Sequence, residues 1–461
     1  RSASLAVPGA LTAGTATVAG AAALNGTLTG AVEFAFNTGG PAVTLTIGSG
    51  LTVRGYGTLG YTPYGNGTII NQGTISANFA GRTLSIGATP VGSSVTTFAS
   101  SGTLEARNGG ILNINAASWS NTGAINVVDG TSTINLGGTF TSSGLGTFSN
   151  GAGGHLNLTG TLNNAASILT FGPTTGTMTV AGGTIRGGTV QENGANGLVF
   201  TSSVNSALDN VNLRGVLDLP ATNAGTRVLN GLVLQTEAGL TPGVANVTGN
   251  NSGISFDGAA LGWSQSFNNA IINLGTAAGN QGNITVERGG SLTLGAGVLV
   301  QGTGGIGTTL FVAGGGPESL TNQGTISADA SGKTITINST GPLTNSGTLQ
   351  ATGGGTLLIA PTSWSNTGTL SVGAGSRFNL DGSLPGASVE GHLQSTGGGI
   401  FAITGFEGCK RHKLGIYSWV DCPFGELAPG KPLYRAIQES AVTAATDDPR
   451  FAPVTDRKST R

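Results

Sequence analysis

An all-β chain wound as a parallel β-solenoid is the fold this sequence predicts. Three observations predict it: a glycine-rich, charge-poor composition, a long internal duplication, and a beat of about 21 residues inside each copy. The 461 residues include 83 Gly and only 39 charged side chains, 19 basic and 20 acidic. A soluble globular domain carries charge on roughly a quarter of its residues, so an ordinary helical or α/β enzyme is not expected. In-register stacking accounts for the deficit, because like charges piled on one another repel.

The duplication is visible in short matched segments. NQGTISA stands at 71–77 and at 322–328, SWSNTG at 118–123 and at 363–368, and SGTLEA at 101–106 answers SGTLQA at 346–351. TLTIGSG at 44–50 matches SLTLGAG at 291–297, and GGHLNLTG at 153–160 aligns with GGIFAITG at 398–405, where the match ends. The organisation expected is an N-terminal part of the solenoid over 1–43 with a truncated start, a first repeat unit over 44–290, a second and incomplete unit over 291–405, and an unrelated tail over 406–461. The tail holds 16 of the 39 charged side chains and 4 of the 83 glycines, along with both cysteines, Cys409 and Cys422. The single Met is Met178, so a fragment lacking its export signal is expected.

Each unit carries a shorter rhythm. An N-x-G-x-[IL] element recurs at Asn322, Asn345 and Asn366, with counterparts at Asn71, Ser100 and Asn121. Between these elements lie alternating stretches at 83–86, 111–114 and 334–337. Period-two alternation of Thr or Asn with Ile or Leu, punctuated by Gly and Asn, reads as half-buried strands of four to six residues. A beat this short suits one coil of a parallel solenoid, with Ile, Leu and Val stacked inside and Thr, Ser and Asn laddered outside. Over 44–405 it predicts roughly 17 coils at the ~4.8 Å strand spacing, most simply a right-handed β-helix. The C-terminal tail is expected to be disordered or to contain a short helix.

Composition excludes several classes of function. A formal net charge of −1 leaves no basic footprint for nucleic acid. No apolar run reaches the ~18 residues that cross a bilayer as a helix. GYGTLG at 55–60 and GTGGIG at 302–307 fit a G-x-G-x-x-G pattern, but no helix-forming segment follows either one, so repeat corners rather than cofactor sites are expected. Gly332, Lys333 and Thr334 answer Gly81, Arg82 and Thr83, another corner. Asp129-Gly130 and Asp257-Gly258 are isolated, without the nonapeptide repeat of a calcium-binding solenoid. Neither a cofactor nor a metal is expected.

Two sets of residues could carry chemistry. Arg186, Asp209, Arg214 and Asp218 form the one local concentration of ionisable groups in the repeats, and two or three could share a face of neighbouring coils. They are the weak catalytic candidates. Trp119 and Trp364 occupy equivalent repeat positions. Exposed, they could stack on sugars; filling volume in the interior is the expectation for a large aromatic at a repeated position.

NQGTISA, SGTLEA, GGILNI, SWSNTG and NLGGTF together resemble the passenger repeats of bacterial surface proteins of the haemagglutinin and autotransporter β-helix kind, over about 44–405. The resemblance implies an exported adhesin or structural rod at the bacterial cell surface or outside the cell, without catalytic residues. Its partners would be glycans or surface proteins, and open coil ends would allow end-to-end self-association. The runner-up is a polysaccharide lyase or hydrolase on the same scaffold. Residues 425–455 instead resemble a piece of an AMMECR-type α/β domain, with Pro432 opening a short helix that carries Leu433, Ile437 and Ala441 on one face. Residues 456–461 read like one frame of a sequencing adapter, so a chimeric junction is expected near 406.

Overall fold

The computed structural model describes residues 3–18, 22–36, 43–61, 66–87, 94–150, 153–258, 260–307, 316–381, 392–403, 410–414 and 417–421. Every regular element among them is a strand. The fold is the parallel β-solenoid that the composition and rhythm predict, with about 14 turns. The alternating stretches read from sequence are the strands Thr83–Ile86, Ile111–Ile114 and Thr334–Ile337.

The chain packs as two compact units. One comprises Arg1–Leu217, Gly225–Arg227 and Leu232–Leu240; the other comprises Asp218–Ala224, Val228–Gly231 and Thr241–Arg461. In the second unit three parallel ladders line three faces. Ser264–Phe267, Ser291–Leu294, Ser319–Asn322, Leu343–Asn345 and Trp364–Asn366 make one face. A second face runs from Gly243–Val247 to Leu393–Ser395, and a third from Ser252–Asp257 to Ile400–Ile403. The first unit repeats the scheme. Its counterpart of the first face runs through Asn66–Asn71, Ser94–Ser100, Ser118–Asn121, Thr139–Thr141, Thr161–Asn163 and Thr184–Arg186.

Alternation sorts the side chains. In Thr348–Ala351 and Thr369–Val372, Leu349 and Leu370 are fully buried and in register. Ile75, Leu104 and Ile125 make the equivalent column in the first unit. Each such Leu or Ile contributes about 1.5–3 kcal/mol on leaving water, and a charge in its place would be stranded.

The coil count is lower than the roughly 17 read from sequence because the steps are unequal. Leu349 pairs with Leu370, a step of 21 residues, whereas Ser252 pairs with Gly282, a step of 30, and Gly304 with Ile335, a step of 31. Corners lengthen in the longer coils while the strands stay short. The glycine-rich patterns at 55–60 and 302–307 lie in strands and corners, with positive φ at Gly57, Gly60, Gly302 and Gly307. Gly81 and Gly332, the duplicated corner, share φ of 67°.

The N-x-G element has a packing reason. Asn121 and Asn366 each accept the amide N–H of the glycine two residues on, at 3.2 and 3.1 Å, an Asx-turn that ends one strand and starts the next. The glycine is needed because successive coils touch there. A Cβ on Gly347 would lie 2.1 Å from the Gly324 carbonyl oxygen, and one on Gly368 would lie 2.0 Å from that of Gly347.

Past Ile403 the pairing changes: Lys410–Leu414 and Tyr417–Asp421 pair antiparallel. The AMMECR-like stretch and its helix at 425–455 lie outside the described residues.

Candidate functional site

Of the four ionisable candidates, Arg186 and Asp209 are brought together. Arg186 ends the strand Thr184–Arg186 and pairs in register with Asp209 one coil on. Arg186 Nε donates to Asp209 Oδ2 at 2.8 Å, with the guanidinium exposed and the carboxylate almost covered. Asn210, at φ 54°, then turns the chain, so Arg214 stands on the next face, in register with Gln191. Arg214 Nε donates to Gln235 Oε1 at 3.2 Å. Asp218 groups with the second unit and takes a hydrogen bond from the Asn246 side chain. Desolvation raises its carboxyl above the usual range, and the Asn246 bond partly opposes that.

Asp218 is the acceptor end of an amide ladder. Asn273 Nδ2 donates to Asn246 Oδ1 at 2.9 Å, and Gln301 Nε2 donates to Asn273 Oδ1 at 2.9 Å. In the first unit Asn157, Asn135 and Asn113 are bonded in the same sense at 2.8 and 2.7 Å.

Both tryptophans are buried, at 4% and 2% exposure, so neither presents a face to a sugar. Trp119 sits between Phe98 and Phe140 in one interior column, stacks on Phe140 at 4.1 Å between ring centroids, and donates from Nε1 to the Gly137 carbonyl at 2.8 Å. Trp364 follows Leu343 in the corresponding column of the second unit. These indoles fill volume.

Other acids are also committed to the chain itself, Glu192 and Glu287 among them. Glu192 is buried and accepts the Leu198 amide at 2.8 Å and the Val216 amide at 3.1 Å. Glu287, fully buried, accepts the hydroxyls of Ser255 at 2.9 Å and Thr285 at 2.6 Å. Asp257 accepts the Gly258 amide at 2.7 Å and lies 3.3 Å from Arg288 Nε. Asp129 Oδ1 accepts the Thr131 hydroxyl at 2.7 Å, the Thr131 amide at 3.0 Å and the Ser132 hydroxyl at 2.9 Å. Its Oδ2 accepts the Asn108 amide one coil back at 2.6 Å. These bonds, the Thr131 hydroxyl foremost, hold its carboxyl well below the usual carboxylate range. Both dipeptides considered for calcium thus use their carboxylates on protein donors. Among the described residues no three His, Cys, Asp or Glu side chains gather as a metal would require.

The surface that repeats is a hydroxyl one. In the second unit Ser266, Thr293, Thr321, Thr344 and Ser365 stand in register over five coils. Beside them Ser264, Ser291 and Ser319 form a shorter column, with the Ser291 and Ser319 hydroxyls 2.6 Å apart. On the equivalent face of the first unit Thr68, Thr97, Ser118, Thr139, Thr161 and Thr184 make a column of six. The signal for this face is the pair of positions one and three before each motif Asn, such as Thr321 and Ser319 before Asn322 or Ser120 and Ser118 before Asn121. No helix among the described residues is long and apolar enough to cross a membrane, which says nothing of strands that might.

Comparison with protein-family models, with curated proteins and with solved structures finds no match.

Proposed function

We propose that this chain is a non-enzymatic extracellular or cell-surface β-solenoid that serves as an adhesive or structural scaffold. The observation that carries the reading is the hydroxyl face: a Ser/Thr column runs up the corresponding face of each unit, and in the second unit that face holds no charged side chain. A stack of coils presents the same small group many times, and many weak contacts on one body add into firm attachment. A reaction centre needs the opposite, a few unlike groups converging on one point. Within the first unit Arg186 is neutralised by Asp209 and Arg214 bonds Gln235, and within the second Asp218 takes a bond from Asn246.

The test incubates the full chain with neutral and acidic polysaccharides and follows reducing ends and the absorbance of unsaturated products. Neither should rise above the protein-free control. A rise that Arg186→Ala or Asp209→Asn abolishes restores the lyase or hydrolase reading. For location, an antibody against the repeats should label intact cells of the source; label confined to permeabilised cells overturns the surface assignment.

A further inference from the structure

We infer that the hydroxyl face is a docking surface for a crystalline, uncharged, β-linked polysaccharide. The inference rests on the scaffold reading above and names its ligand class.

Charge comes first. The in-register column Ser266, Thr293, Thr321, Thr344 and Ser365 holds no ionisable side chain, and its neighbour Ser264, Ser291 and Ser319 holds none either. A surface without charge offers an anionic glycan, a lipid headgroup or a nucleic acid nothing to pair with. It suits a neutral polymer, and the contact would be indifferent to salt.

Period comes second. Rungs follow one another at ~4.8 Å, and the two columns are two residues apart along each strand, about 6.7 Å. Five rungs extend roughly 19 Å. A sugar ring in an extended β-linked chain is close to one rung in length, and it too presents hydroxyls that both donate and accept. A matched array over several rungs requires the ligand to be straight and fixed, as it is in a crystalline fibre.

The third point concerns what the face lacks the means to do. Of the aromatics on its strands, Phe267 and Trp364 are buried, and Trp263, half-buried beside Ser264, has its Nε1 committed to the Glu287 carbonyl. Short hydroxyl side chains on a sheet surface give a single soluble sugar few contacts, each worth about 0.5–1.5 kcal/mol net. Only a ligand that meets many rungs at once gains usable affinity. The corresponding face of the first unit has six hydroxyls in one column, but its neighbouring column ends on the Arg186–Asp209 pair, so the uncharged double column belongs to the second unit.

The experiment measures depletion of the full 461-residue chain from solution by microcrystalline cellulose, by chitin particles, by heparin beads and by protein-coated beads, at low and high salt. Retention is expected on at least one of the two neutral solids, unchanged by salt and not competed by soluble monosaccharide. The double substitution Thr321→Ala with Thr344→Ala should weaken that retention about tenfold, as two lost hydrogen bonds allow. Thr348→Ala with Thr369→Ala, on a different face, should change it less than twofold, and both variants should keep the parental circular dichroism. No retention on either neutral solid overturns the inference, as does equal loss in the two variants. Retention on protein-coated beads alone also overturns it, but leaves the adhesive scaffold standing. Release of soluble sugar from either solid contradicts the non-enzymatic scaffold itself.

Discussion

Individual residues matter here by where coils touch. Gly347 has no room for a methyl group beside the Gly324 carbonyl, whereas a Cβ on Gly50 would meet nothing within 4 Å. Gly347→Ala should destabilise by at least about 1–3 kcal/mol, the range for overpacking, while Gly50→Ala should be close to neutral; urea unfolding compares them. Asn345 gives a second case. It accepts the Asn322 amide at 2.7 Å and donates to Asn366 Oδ1 at 2.6 Å, all three being buried. Asn345→Ala strips a partner from two buried groups, so a loss of about 2–4 kcal/mol is expected in the same assay. Asp129 adds a pH dependence of definite sign. Its carboxyl is held low in the folded chain, so its contribution is complete above the unfolded value of ~3.9 and fades as pH falls below it. Protection factors of the Asn108 and Thr131 amides, taken relative to intrinsic exchange at each pH, should therefore fall at strongly acidic pH, and Asp129→Ala should show the low protection at every pH.

At the scale of strands and ladders, polar columns do as much as apolar ones to fix register. The ladder from Gln301 through Asn273 and Asn246 ends on Asp218, whose carboxyl desolvation raises. The folded chain thus holds that proton more tightly than the unfolded chain, and stability should decline as pH rises from the ordinary carboxylate value through the folded one. Asp218→Asn should remove this decline and leave the variant slightly the more stable at neutral pH; thermal melts of both proteins between pH 3 and 7 measure it. The four-residue strands were legible, since Thr-Leu-Ser-Ile and Thr-Ile-Thr-Ile alternate with nothing to contradict them. The number of coils was not. The beat was read from the tightest coils, and a corner that swells a step from 21 to 31 residues has no period of its own. Buried acids were illegible for a related reason. A lone Glu192 or Glu287 in polar sequence looks like surface, and only the fold brings it to amides and hydroxyls distant in the chain.

For the whole molecule, each coil contacts chiefly its neighbours, so stability accumulates coil by coil. The duplication visible as NQGTISA and SWSNTG corresponds to the same three-faced coil in both units, with Asn71 and Asn322 ending equivalent strands. Of the candidate site, the concentration of charge around Arg186 was legible, and the turn at Asn210 that puts Arg214 on the face next to that of Asp209 was not. The hydroxyl face was legible as Ser and Thr but not as a column, since column membership depends on register. Register is what everything else assumes, and cysteine cross-linking reads it directly. In a chain carrying Cys409→Ser and Cys422→Ser, Thr348→Cys with Thr369→Cys places two thiols on paired residues, within the ~4.4–6.8 Å Cα separation that a disulfide spans. Thr348→Cys with Ser371→Cys offsets them by two residues. Mild oxidation should close the first pair rapidly and nearly completely and leave the second largely reduced; equal closure, or preference for the offset pair, would contradict coils stacked in this register.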